Sequence, residues 1–526
     1  MDIESAPSSP TRHGANNTTT TEKNALGAET TRESSKHGGH PASLQEEDVL
    51  EYRSRHKYMI SRPRALQYTY KSQVYTSEGD LTEQSGEEAA KEAGIDKARE
   101  RLDLFIDLIW VGIISNLSEV FSSDAFGSEG ASSSKAFLFF AVVFLPSWRV
   151  WNGIREILNN YYMDDVLQRT YIFLLLVLSI FFGNNLAYIT EFPERAKILT
   201  ISLYLFIRSS LVLIECVYAI FIPWLRRLVL LTSLLYLPSI GLWTAGIYLD
   251  GAKALGPIFA AVVMDYTVPI ILDSTKTRDA LLSGYGKAID PHHFTSRMGS
   301  FFIITLGEGV LQLVKDGPLG IGVTRTCGLA VWSLCIYFLL AQIYFNRDGS
   351  RVYIPAVLQK GWRTWLWLTY HIPTFMSTLT LSAGIMFIIQ QSAAKFDAET
   401  GDSDTETLSE EEIIQLTRNA IWTVSISLAI VMMAMFGMAL LNQPRDQAKS
   451  LRVNNRYLRL AGRPLYAVIV LAIASDKNIG TETYLGTCSL LMVCLSIWEY
   501  SASMEKTGGF LERKKSPSSS RVTSHE

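Results

Sequence analysis

The sequence predicts an all-α protein, a polytopic bundle of about twelve transmembrane helices, and three observations lead there. Beyond about residue 100 the chain breaks into apolar runs about 20 residues long, each sufficient at about 1.5 Å per residue to cross a bilayer core. Lys and Arg gather in every second connection: at Arg226–Arg227, from Lys276 to Arg297, from Arg347 to Arg363 and from Arg445 to Arg463. That alternation is the positive-inside pattern. Finally, only helices or closed barrels satisfy backbone groups in lipid, and runs of this length exclude the alternation of a barrel strand.

The expected spans are 101–121, 134–155, 170–190, 198–221, 227–248, 252–272, 297–314, 321–345, 364–390, 418–441, 457–475 and 483–502. The first, seventh and eleventh are short or polar. Ahead of them, residues 1–97 are rich in Ser, Thr, Gly, Glu and Lys and are expected to be a disordered cytoplasmic tail. Residues 98–503 form the transmembrane helical domain, and 504–526 a second disordered cytoplasmic tail. Twelve spans with basic even-numbered connections place both termini in the cytoplasm, in the plasma membrane or an endomembrane. No apolar stretch opens the chain, so the run near residue 101 is expected to target it in place of a cleavable signal peptide. Asn16 and Asn17 head glycosylation sequons that this topology leaves unused.

Several spans carry charge. An ionisable group at mid-bilayer costs roughly 2.5–3.5 kcal/mol on insertion scales, so it calls for a partner, water or a function. The first span holds Asp103 and Asp107, one turn apart on a face that Ser118 shares. The fourth holds Arg208 and, almost two turns on, Glu215. The sixth holds Asp265, four residues before Pro269; the seventh holds Glu308 between Gly307 and Gly309; the ninth holds His371 near Pro373. The topology gathers these into one polar cluster opening toward the cytoplasm, with Arg208 and Glu308 near the midplane. Arg208 is expected to pair with Asp107, Glu308 or Glu215. Gly307 and Gly309 are expected to break the helix and free carbonyls as ligands; close helix packing is their alternative role.

The connection after the ninth span is long and acidic, from Asp397 to Glu412. It reads either as a solvated loop or as a rim that concentrates cations. After the tenth span, Arg445, Lys449, Arg452, Arg456, Arg459 and Arg463 are expected to lie along anionic lipid of the cytoplasmic leaflet, and Arg53 to Lys71 to do likewise. Cys216, Cys327, Cys335, Cys488 and Cys494 sit in or beside apolar runs and read as small buried hydrophobes, so no metal, cofactor or redox role is expected.

Four patches resemble the low-temperature-requirement A family of polytopic membrane proteins. Asp103-Leu104-Phe105-Ile106-Asp107-Leu108 resembles its acidic-Leu-Phe-Phe-Asp-Leu opening. Trp148, Trp151 and Asp164-Asp165-Val166 resemble its second-span exit. Arg297 through Leu306-Gly307-Glu308 resembles its Arg-…-Leu-Gly-Glu-Ser motif, and Tyr370-His371-Ile372-Pro373 its Tyr-His-x-Pro motif. The chain departs from the pattern at Asp103 (usually Glu), Tyr162 (usually Asp) and Gly309 (usually Ser). The resemblance spans most of residues 100–500 and implies a membrane protein without implying a mechanism. Arg101-x-x-x-Phe105-x-Asp107 is also similar to the opening of a potassium-channel family built from two six-span repeats, and Arg297-x-x-x-Phe301 opens the seventh span in a similar way.

The favoured function is passage of an ion or small solute, coupled to protons, with a cation or proton as the ligand. Asp107, Glu308 and His371 bind or relay charge, and Arg208 tunes them by proximity. A non-transporting scaffold or low-temperature stress-response protein is the alternative. A membrane-embedded enzyme with Asp and His as acid and base is a third, without a nucleophile elbow, a His-Glu-x-x-His helix or a phosphate-binding glycine loop to support it. The partners are the bilayer and, left open, further copies of the chain in a homo-oligomer; nothing points to nucleic acid.

Overall fold

The computed structural model describes residues 86–127, 133–161, 165–189, 193–272, 291–315, 317–319, 322–346, 353–359, 362–400, 409–446 and 451–505, with isolated positions besides, such as 68–70 and 285–287. The expected tail through residue 67, the sequons, Arg53, Lys71, Lys449 and the segment after 505 lie outside the described residues.

Twelve helical segments follow the twelve expected spans in order. They are α1 (Gly86–Phe126), α2 (Ser133–Tyr161), α3 (Val166–Ala187), α4 (Pro193–Phe221), α5 (Arg226–Tyr248) and α6 (Ala252–Leu272). Then come α7 (Pro291–Gln312), α8 (Arg325–Phe345), α9 (Trp362–Thr400), α10 (Glu410–Leu441), α11 (Arg456–Leu460 continuing as Gly462–Ala474) and α12 (Thr481–Ala502). The fold is an all-α bundle. Among the described residues, eleven helices are long and apolar enough to cross a membrane; α7 has the length, about 33 Å at 1.5 Å per residue, but is too polar by composition.

The starts follow local chemistry. Asp165 caps α3, its carboxylate accepting from the Gln168 amide at 2.7 Å. Ser409 and Glu412 form a capping box that opens α10 inside the acidic connection. α1 begins at Gly86, ahead of residue 98. α7 begins at Pro291, six residues before the expected start, because a proline at the first helical position loses no intrahelical bond.

The neighbours of each helix repeat after six. In the first half α1 packs on α2 and α3, α3 on α4, α4 on α5, α5 on α6, and α6 on α2. In the second half α7 packs on α8 and α9, α9 on α10, α10 on α11, α11 on α12, and α12 on α8. Six spans per half give both copies one orientation. The halves meet where α1 touches α7, α9 and α10. The pair α9–α10 is the most buried part of the bundle, and Gly384 permits close approach: a Cβ there would lie 2.9 Å from Val424. Helices α5 and α6 are the least buried, and Leu230, Leu234, Leu237, Phe259 and Ile271 form apolar surface suited to lipid.

Candidate functional site

Helices α1 and α7 each present one polar stripe to the other. On α1, Asp103, Asp107, Trp110, Ile114 and Ser118 recur at three- and four-residue spacing and are all buried. On α7 the stripe is His293, Arg297, Phe301, Thr305 and Glu308, also buried.

At one end the stripes interlock. Arg297 binds Asp107 in a fork, Nη1 to Oδ2 at 2.7 Å and Nη2 to Oδ1 at 2.8 Å, and its Nε lies 3.5 Å from Asp103 Oδ1. His293 Nε2 lies 2.9 Å from Asp103 Oδ2, and its Nδ1 lies 3.1 Å from Asn159 Oδ1 on α2. The Asn159 amide nitrogen donates to Asn160, which turns its oxygen toward His293. Both ring nitrogens thus face acceptor oxygens. Arg155 of α2 donates twice to Asn152 Oδ1 and stacks over Phe294, 4.2 Å from the ring centre.

Glu308 stands eleven residues beyond Arg297, about 16 Å along α7, nearer the helix's C-terminal end than the midplane. It is 1% exposed. Its Oε1 accepts from Gln312 at 2.6 Å and from Ser115 of α1 at 3.3 Å. Its Oε2 is buried with no hydrogen-bond partner, and the hydroxyl of the neighbouring Tyr337 on α8 is buried beside Ser382. Between the two levels lies an aromatic layer. Phe301 packs on Trp151 at 4.5 Å, Trp148 at 5.0 Å, Phe375 at 4.9 Å and Trp110 at 6.5 Å between ring centres.

His371 lies beside this layer on α9, fully buried. Its Nδ1 donates to the Trp367 carbonyl at 2.8 Å, and Nε2 meets the Tyr344 hydroxyl at 3.0 Å. It borders a small cavity lined by Tyr344, Trp367, Met435, Asn442 and Arg463. Arg463 of α11 binds Glu499 of α12 in a second fork, at 2.7 and 2.9 Å, and donates to the Met435 carbonyl of α10 at 2.9 Å.

The expected single cluster divides into separate sets of partners. Asp265 accepts from Tyr204 at 2.5 Å, Ser239 at 2.7 Å and Trp243 at 3.1 Å, all within α4–α6. Arg208 lies near Asp265 and Tyr236, not in an ion pair with Asp107, whose fork is filled by Arg297, nor with Glu308. Glu215 is half-buried, within electrostatic reach of Tyr171. Arg297 therefore holds the position beside Asp107 that was expected of Arg208. As a charge near a connection it read as a topology signal; the earlier start of α7 draws it and His293 into the bundle.

Two further expectations need correction. α7 is continuous through Gly307 and Gly309, so no carbonyls are freed there. Gly309 instead admits the Tyr337 ring and Ser382: a Cβ would stand 2.7 Å from Ser382 Oγ and from Tyr337 Oη. Gly309→Ser should destabilise the protein by about 1–3 kcal/mol through overpacking. Thermal unfolding in detergent measures this, and Tyr337→Phe on top of it should return part of the loss. Of the arginines expected at lipid, Arg445 and Arg452 are exposed, whereas Arg456 caps the Ala439 carbonyl. Arg459 is buried on the carbonyls of Val453 and Asn454, and Arg463 on Glu499, so their donors are turned inward.

Among the described residues, no group of three or more His, Cys, Asp or Glu is arranged to hold a metal ion. No curated protein and no solved structure matches the chain. Residues 100–499 match the model of a family described as bacterial low temperature requirement A protein (LtrA), so the chain, an integral membrane protein, belongs to that family.

Proposed function

We propose that the protein passes a cation or proton across the membrane along the α1–α7 contact. The observation that carries this is Glu308, a carboxylate buried among helices in no ion pair among the described residues, with Lys315 only at longer electrostatic range and one oxygen unbonded. A carboxylate in that setting favours taking up a proton or a cation. The Tyr337 hydroxyl beside it, near Ser382, supplies a second oxygen. Across the aromatic layer, the Asp103–His293 and Asp107–Arg297 pairs form a relay that changes hydrogen bonding when a proton arrives. Both carboxylate levels lie along the α1–α7 contact, about 16 Å apart with the ring layer between them, and that arrangement supports an occluded path. Arg208 and Asp265 belong to neither level.

Lys and Arg in the even-numbered connections favour cytoplasmic termini. A cysteine placed at residue 404 should react with an impermeant reagent from outside, and one at 452 only after permeabilisation; the reverse labelling overturns this orientation.

The transport test is proton and cation flux in liposomes holding the purified full chain. Glu308→Gln keeps shape and hydrogen-bonding capacity and removes the charge. We expect equal thermal stability and loss of flux, at least 10-fold. Flux that survives Glu308→Gln overturns the role of Glu308. No flux of protons or of any alkali cation by the parent protein, in either gradient direction, favours the scaffold reading.

A further inference from the structure

The cavity beside His371 is walled by a donor set that the α1–α7 path does not use. Its volume of about 30 Å³ is enough for one metal ion or about two waters, and it lies where α8, α9, α10 and α11 meet. Tyr344, Trp367, His371, Met435, Met438 and Arg463 line it. Met435 and Met438 are an i, i+3 pair on one face of α10, and both are buried. With His371 they bring an imidazole and two thioethers to the same small space.

The imidazole has the hydrogen bonding of a metal ligand. Its Nδ1 donates to the Trp367 carbonyl at 2.8 Å, so Nε2 carries the lone pair of the neutral ring. A backbone carbonyl on the far ring nitrogen is the outer partner that metal-bound histidines commonly have. Nε2 meets the Tyr344 hydroxyl at 3.0 Å, and a metal on Nε2 takes the place of that bond without a proton leaving the ring. The Trp367 ring lies 4.1 Å from the imidazole, centre to centre, so an aromatic π-system that favours cations borders the same space.

The donor types select the ion. Thioether sulfur is soft and uncharged, and it favours Cu(I) over harder ions. No carboxylate or thiolate lines the cavity, so nothing on its wall offsets the second charge of Zn(II), Mg(II) or Ca(II). The charge of Arg463 is balanced by the Glu499 fork, and its remaining nitrogen donates to the Met435 carbonyl.

We propose that His371, Met435 and Met438 form a binding site for a soft monovalent metal ion, Cu(I) in the cell and Ag(I) as its surrogate. Glu308 takes no part in this site, and binding, not flux, tests it.

The probe is Ag(I), which undergoes no redox change, titrated as the nitrate in chloride-free buffer into the full chain in neutral detergent. The five free cysteines are first replaced by serine or alanine, because thiols take up Ag(I) on their own. If that background loses the parental Tm, ions per chain are counted in the native chain instead, and the count should fall by one in each site variant. Equilibrium dialysis and thermal shift should show one ion bound saturably at the site, with a rise in Tm. Met435→Leu and Met438→Leu, which nearly conserve volume, should each weaken binding roughly 10- to 100-fold, and His371→Gln at least as much. Excess Zn(II) should not displace the ion. Absence of saturable Ag(I) binding beyond that of the cysteines overturns the proposal. So does parental affinity in either methionine variant, or displacement by Zn(II).

Discussion

Arg297→Ala is expected to be among the most destabilising single changes in the bundle. Arg297 is buried with both Asp107 oxygens in its fork and Asp103 beside its Nε. Removing it leaves two carboxylates facing one another in low dielectric, with His293 in contact and Arg155 at longer range to compensate. Unpairing a buried charge of this kind costs about 3–5 kcal/mol. Asp107→Asn made together with Arg297→Ala should recover part of that loss, because the stranded charge is then gone. The coupling between the two sites is read from thermal unfolding of the four proteins in detergent. Strict additivity would show that the fork contributes nothing specific. The same cycle run with Arg208→Ala in place of Arg297→Ala should be additive, since Arg208 makes no pair with Asp107. A structural role alone would stop there. The relay proposed above further requires that His293→Gln, which keeps a donor toward Asp103 but cannot gain a proton, alter the pH profile of flux. An unchanged profile would leave His293 as packing.

The twelve helices were legible because membrane helices announce themselves by length and hydropathy, and the match holds from the span at 101–121 to the span at 483–502. Where the reading strayed, the cause was a helix end. α7 extends back to Pro291 and carries His293 and Arg297 inside, yet a basic residue beside a short polar run looks like a connection. The four-residue spacing from His293 through Arg297, Phe301 and Thr305 was the available signal, and Pro291 was the start marker. Asp103, Asp107, Glu308 and His371 stand out in the sequence because a polar or charged group in an apolar run needs a reason, and all four are buried. Which charge answers which was not legible: pairing depends on which helices touch, and hydropathy carries no information on that. Arg208 shows it best. Sequence spacing offered it three carboxylates, and packing put it beside an aromatic ring and an already satisfied Asp265.

Arg463 makes the same point with a large expected effect. In sequence it closes a basic run suited to anionic lipid; in the fold it is 1% exposed, forked onto Glu499 and bonded to the Met435 carbonyl, tying α11 to α12 and α10. The two roles make opposite predictions. A lipid contact, lost in Arg463→Ala, would lower affinity for anionic vesicles and leave Tm in neutral detergent unchanged. A buried fork, lost in the same variant, strands Glu499 and a helix carbonyl and should lower stability by about 3–5 kcal/mol with little effect on vesicle binding. We expect the second result. Exposed Arg452 is the internal control, since Arg452→Ala should change stability by no more than about 0.5 kcal/mol. Replacing the pair by apolar residues of similar size, Arg463→Met with Glu499→Leu, removes both charges and leaves none uncompensated. That double variant should regain most of the stability lost in Arg463→Ala, because a buried pair and a packed apolar contact are close in free energy. If it remains as unstable as the single variant, the fork holds the α10–α11–α12 contact by geometry that apolar packing does not reproduce, and the cavity beside His371, which Arg463 also lines, becomes the place to look for what that geometry protects.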